Sequence, residues 1–302
     1  LQSPDHLVCR LLLEKKKVME GFGLNGKSFI PMIIGFGCNV PGIMAARTIE
    51  QPKDRLITIL LSPFISCSAR LPIYALFVGV FFARHQAIIV FSLYVLGIAV
   101  ALFTARILSK TFFKGESSVF IVELPPYRVP HLKTLFRGTW DKGKGFVKKA
   151  GTYIFGGTVL IWLLLNFGPE GAFVEMDKSY IALAGSIIAP ILKPLGFGSW
   201  QAASSLMAGF LAKESVVSTL NIVCHTASGE LLGKVLSDVF SPLSAYSFLV
   251  FSLLYIPCLP TVATIKKETG STKWTIACII YPLTVAYLIS FFVYQGGKLI
   301  GL

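Results

Sequence analysis

Residues 86–105 read QAIIVFSLYVLGIAVALFTA, twenty positions without a charge. A helix of that length, rising 1.5 Å per residue, crosses about 30 Å of hydrocarbon. Three further apolar runs, 150–169, 239–265 and 274–297, are read as spans of the same kind. The composition agrees: 54% of the 302 residues are hydrophobic, 14% are charged and the mean hydropathy is +0.71. Soluble domains carry about 25% charged residues. A soluble core of this length needs a charged shell that these residues cannot supply, which excludes a typical cytosolic enzyme and a disordered tail. The reading is an all-α, polytopic transmembrane helical bundle embedded in a lipid bilayer.

Moving outward from the plain spans, other apolar stretches are interrupted. Residues 28–46 carry Pro31, Gly35, Gly37 and Pro41, and residues 56–83 carry Pro63, Arg70 and Pro72. Residues 179–223 carry Pro190, Pro194, Gly196, Gly198, Gly209, Lys213 and Glu214. Proline removes a backbone donor and clashes with the preceding turn. Irregular backbone at membrane depth survives only where protein or a water-filled cavity satisfies it, so broken or re-entrant gate helices are expected here. The breaks recur in order. Gly35-Phe36-Gly37-Cys38 is followed by an apolar segment with Cys67 and Pro72, then a plain helix; Gly209-Phe210 is followed by one with Pro257-Cys258-Leu259-Pro260, then a plain helix. One span lies between the two copies, which predicts an inverted repeat. The chain divides into a basic juxtamembrane segment (1–27), a first gate repeat with its helices (28–109), a basic loop (110–149), and a linking helix with the second gate repeat (150–302).

Charge orients this arrangement. The net charge is +13, from 28 Lys and Arg against 15 Asp and Glu. Residues 110–149 hold nine basic residues and three acids, or +6, and residues 266–273 are basic again. The positive-inside rule puts both in the cytoplasm. Glu170, Glu175 and Asp177 suit the opposite side. Aromatics within the basic loop read as membrane-surface anchoring, not as nucleic-acid binding.

Gly21-Phe22-Gly23-Leu24-Asn25-Gly26-Lys27-Ser28 matches the phosphate-loop pattern letter for letter. That loop needs a buried strand before it and a helix after it. Here a run of lysines precedes and Pro31 follows, so no nucleotide site is expected. No histidine, carboxylate dyad or nucleophile motif points to catalysis, and His6, His85, His131 and His225 fall in expected loops or ends. The chain is read as a non-enzyme. Cys38, Cys67 and Cys258 all sit at proline or glycine breaks, where thiol sulfur can bind first-row transition ions. A free thiol is equally an ordinary small core group, and Cys9, Cys224 and Cys278 are read that way. Arg70, Lys213 and Glu214 are the intramembrane charges. Glu214 either attracts a divalent cation or closes a salt bridge; Arg70 pins carbonyls or meets a carboxylate. The candidate metal ligands are therefore Cys38, Cys67, Cys258 and Glu214, with Gly37, Asn39, Pro41, Ser66, Arg70, Gly209 and Lys213 along the path.

These motifs carry a resemblance. Gly35–Pro41 with Arg47-Thr48, Pro63–Tyr74, Glu123–Arg128, Gly209–Glu214, Pro257-Cys258 and Glu268-Thr269-Gly270 together resemble the C-terminal membrane domain of the bacterial ferrous iron transporter B (FeoB) family. The resemblance implies Fe²⁺ as transported substrate, uptake across the bacterial inner membrane, and a path lined by Cys38 and Cys67. It further implies regulation by a GTP-binding domain or subunit, a small cytoplasmic accessory protein and a homo-oligomer. Residues 1–17 do not match the family's pattern ahead of the first gate, and the expectation is a C-terminal part whose N-terminal half lies elsewhere. The broken helices alone would also suit a transporter of a nucleoside or another divalent metal, or a non-conducting subunit that docks a GTPase.

Overall fold

A computed structural model describes residues 26–111, 131–169, 171–172, 176–224 and 229–301. Most of the phosphate-loop-like stretch, Cys9, Glu123–Arg128, Glu170 and Glu175 lie outside these.

Each predicted break is present. The first separates α1 (Phe29–Gly37) from α2 (Asn39–Ala45) at the single extended residue Cys38, φ −153° and ψ 132°. The two short helices fold closely together: a Cβ on Gly42 would stand 2.9 Å from the Pro31 carbonyl oxygen. Next, α3 (Pro52–Leu61) and α4 (Leu71–Phe81) flank an irregular stretch with 3₁₀ turns at Ser62–Phe64 and Ser68–Arg70. The plain helix α5 (Gln86–Thr111) closes the first half. Then α6 (Leu132–Asn166) leads to a minimal antiparallel pair, β1 (Phe167–Gly168) with β2 (Gly171–Ala172).

The second half begins with α7 (Tyr180–Leu192) and α8 (Trp200–Leu211), bent by 104°. After α9 (Ser215–Val223) and α10 (Gly229–Val239) come α11 (Pro242–Leu254), α12 (Leu259–Thr269) and α13 (Thr272–Ile300). Ser179, Ser199 and Ser241 cap α7, α8 and α11 by accepting a backbone N–H three residues on. The main core joins both halves through Phe64, Tyr74, Phe77, Phe197, Phe248 and Leu253, all fully buried.

The repeat is inverted. Ala212, between α8 and α9, adopts φ −146° and ψ 123°, close to Cys38, and Gly35 and Gly209 each precede their break by three residues. Leu108, near the end of α5, packs in one cluster with Ala46, Ile265 and Trp274, the last near the start of α13. The end of α5 and the start of α13 thus meet at one cluster, as an inverted repeat requires. The halves also exchange partners: α2 packs on α12, and α9 packs on α4.

Three expectations change. The 239–265 run is not one continuous helix, because the chain is extended at Tyr255 and Cys258 beside Pro257. Residues 132–149, read as loop from their charge and glycines, are helical and continuous with the 150–166 stretch. Helix is the cheaper state there because no proline follows Pro130 to interrupt it. Four stretches among the described residues are long and apolar enough to cross a membrane, Pro52–Phe81, Gln86–Thr111, Pro242–Thr269 and Thr272–Ile300, or five if the bent α7–α8 pair counts as one. The expected span at 150–169 is not among them: its helix ends at Asn166, so the uncharged helical part after Lys149 is 17 residues, short of the 150–169 expected.

Gly42→Ala is expected to force α1 off α2, because the atoms it meets are backbone. A loss of about 1–3 kcal/mol is expected, read as a lower unfolding midpoint in detergent; an unchanged midpoint would contradict this packing.

Candidate ion path between the repeats

The path is built where extended backbone meets buried polar side chains. Every carbonyl freed at a break needs a donor, because lipid supplies none. The Gly37 carbonyl, at the end of α1, accepts from Ser68 Oγ at 2.7 Å, which ties the first break to the second. Arg70 has no exposed surface, and its fork donates to the Ile65 oxygen at 3.1 Å and the Pro63 oxygen at 3.2 Å. The carbonyl-pinning alternative for Arg70 is thus the one realised. Ser66 Oγ shares a 3.1 Å hydrogen bond with the Tyr74 hydroxyl.

The second repeat solves the same problem with a different cation. Lys213 is 3% exposed, and its Nζ donates to the Ile256 oxygen at 2.8 Å. The ammonium also sits 3.4 Å from the centroid of the Tyr255 ring, a close cation–π contact. Tyr255 approaches because residue 209 is glycine: a Cβ there would strike the Tyr255 hydroxyl and Val216. Ile65 and Ile256 each lie two residues before a gate cysteine, so the two repeats place a buried cation on equivalent carbonyls. Tyr255 was not picked out from sequence; its place between the Gly209 and Cys258 motifs was the available signal.

The cysteines gather around this framework. Cys67 is buried, while Cys38 and Cys258 are half-buried, and all are free thiols. Cys67 adjoins Ser68, whose Oγ reaches the Gly37 carbonyl beside Cys38, and Cys38 and Cys258 directly precede α2 and α12, which pack together. Cys258 Sγ lies 3.1 Å from Thr261 Oγ1. Asn39, 6% exposed, holds its Oδ1 buried without a hydrogen-bond partner, 3.4 Å from where a Cβ on Gly35 would stand. Pro41 lies in the first turn of α2. Glu214 is exposed, and no ion pair joins it to another described residue, so the salt-bridge alternative for it is not realised. Among the described residues, no three His, Cys, Asp or Glu side chains converge closely enough to hold an ion. The four expected ligands do not form a closed coordination shell.

Comparison with known proteins follows this geometry. A family model described as "Ferrous iron transport protein B C terminus" matches residues 90–142, and one described as "Nucleoside recognition", the Gate model, matches 16–81 and 147–272. The "Fe(2+) transporter FeoB" of Staphylococcus aureus (strain MSSA476) is 56% identical over 97% of this chain. The chain belongs to the FeoB family. The Methanocaldococcus jannaschii member is 44% identical over 97% of the chain. A "Fe(2+) transport protein A/Fe(2+) transporter FeoB fusion protein" of Porphyromonas gingivalis is 37% identical over 99% of it. The chain spans 44%, 45% and 41% of those three FeoB relatives. No solved structure matches it.

Arg70→Met removes both donors to the Ile65 and Pro63 carbonyls, and each such bond contributes about 1.5–3 kcal/mol. The variant should unfold at lower temperature in detergent, with Arg70→Lys intermediate. A midpoint equal to that of the parent would show that the carbonyls do not depend on Arg70.

Proposed function

We infer that the chain forms the conducting part of a ferrous iron transporter in the plasma membrane. The observation that carries this reading is that Cys38, Cys67 and Cys258 each stand at extended backbone, Cys67 beside the Ser68 that bonds the Gly37 carbonyl and Cys38 and Cys258 at the starts of the paired helices α2 and α12. At this junction the Gly37, Ile65, Pro63 and Ile256 carbonyls already accept from Ser68, Arg70 or Lys213. Sulfur is left as the main donor for a passing ion. Thiols favour first-row transition ions over Na⁺, Mg²⁺ or Ca²⁺, which prefer oxygen. Few and separated ligands suit passage, since an ion held by a closed shell leaves slowly. The exposed carboxylate of Glu214 adds attraction for a divalent cation, and Asn39 Oδ1 adds one uncommitted oxygen.

The relatives' names supply the metal. The fusion of an iron transport protein A to one relative supports a small accessory partner for this chain. The family supports coupling to a GTP-binding domain or subunit, and the Lys and Arg residues of the 110–149 stretch suit a cytoplasmic docking face and contact with anionic lipid.

Proteoliposomes containing the protein should take up Fe²⁺, and Cys38→Ser combined with Cys67→Ser should lower uptake to near background while the fold is kept. Undiminished uptake by the double variant would remove the thiol path. Uptake of a labelled nucleoside that Fe²⁺ does not compete with would favour the nucleoside reading that the Gate description allows.

A further inference from the structure

Helix α2 begins directly after Cys38, and α12 begins directly after Cys258. The two lie side by side. Their far ends are joined by one bidentate ion pair: Arg47 Nε donates to Glu268 Oε2 at 2.6 Å, and Arg47 Nη2 donates to Oε1 at 2.5 Å. Cys38 to Arg47 and Cys258 to Glu268 are nearly equal intervals, each about 14 Å at helical rise. The pair therefore closes a frame of two parallel rods, with the gate thiols at one end and the charges at the other. A second ion pair, Lys27 with Glu50, joins only the basic segment to the first repeat and does not cross between the halves.

The frame is loosely filled beside the charges. A cavity of about 200 Å³ lies against them, walled by Val40 and Met44 of α2, Ala263 and Thr264 of α12, and Phe146 and Tyr153 of α6. The corresponding contact at the other face, α4 with α9, lies instead beside tightly packed rings: Phe77 stands 4.9 Å from Phe248 and 5.3 Å from Phe240. One face is closed by aromatic packing and the other by a charge pair. The Glu268 side chain is 7% exposed and that of Arg47 53%. The carboxylate is sunk in protein and the guanidinium stands at the rim. Hydrogen bonding to Glu268 raises the Arg47 guanidinium further above its ordinary value, so Arg47 stays charged.

We propose that Arg47 and Glu268 are positioning residues for the ion path: their pair latches α2 to α12 and thereby sets the separation of Cys38 and Cys258. Opening the path on the basic face requires the pair to part. The proposal rests on the thiol-lined path argued above. Bidentate geometry makes the closed distance specific. The rim position of the Arg47 guanidinium leaves the pair within reach of a partner or an ion that binds the open state better.

The test reads the thiol separation itself. In the full chain with Cys9, Cys67, Cys224 and Cys278 replaced by serine, a short bifunctional methanethiosulfonate should bridge Cys38 and Cys258. Arg47→Glu or Glu268→Arg should lower bridging by roughly fivefold or more, and the charge-swapped Arg47→Glu/Glu268→Arg variant should restore it to near the parent rate. Glu268→Gln, which keeps the shape, should give a smaller loss. In the chain with its native side chains at 47 and 268, molar KCl should slow bridging by screening the pair. Bridging that ignores all the substitutions and the salt overturns the latch, as does a swap that folds but bridges no better than the single variants. Fe²⁺ uptake measured on the same charge variants with native cysteines separates the two ideas. Bridging that follows the charges in a protein that passes no Fe²⁺ sinks the iron reading and leaves the latch. Normal uptake with bridging indifferent to charge does the reverse.

Discussion

Extended backbone inside a membrane must find its hydrogen-bond partners in the protein or in a water-filled cavity, never in lipid, and the rest of this structure is arranged around that demand. The chain abandons helical hydrogen bonding near Cys38, Cys67, Ala212 and Cys258. Each interruption frees carbonyls that lipid cannot serve. Ser68 and Lys213 serve them from neighbouring segments, and Arg70 folds back on its own. The buried charges are thus explained first as backbone partners. Only after this satisfaction are the sulfur atoms left over, where the breaks of the two repeats meet.

The two repeats share backbone geometry but divide the chemistry. At the first break the extended residue is Cys38, followed by Asn39; at the second it is Ala212, followed by Lys213. One half therefore offers a thiol and an uncommitted amide oxygen, while the other offers an ammonium already engaged by a carbonyl and an aromatic ring. The asymmetry keeps a cation-attracting side and a self-satisfied side within one scaffold.

Much of this was legible in the sequence because glycine and proline act locally. The breaks at Cys38, Cys67 and Cys258 follow from residues within a few positions of each, and their recurrence revealed the inverted repeat. What was not legible depends on distant partners. Whether Lys213 would pair with Glu214 or reach Ile256 is decided by a segment 43 residues away. The pair between Arg47 and Glu268 joins positions 221 residues apart, and each looks alone like an ordinary loop charge. Residues 132–149 misled for another reason: lysines and glycines suggested a loop, yet nothing there forbids a helix, and an existing helix extends more easily than a new one starts.

The exchange of partners between the halves has a consequence for how the protein is made. Helix α2 leaves the ribosome long before α12, with 221 residues between the two charges that join them. At ordinary synthesis rates that gap lasts on the order of 10–40 s. Through that interval Cys38 and Asn39 already sit at a break whose lasting neighbour does not exist, and Arg47 has no Glu268. The first gate is therefore born incomplete. It needs water, the insertion machinery or a temporary neighbour to shelter its polar backbone until the second half arrives.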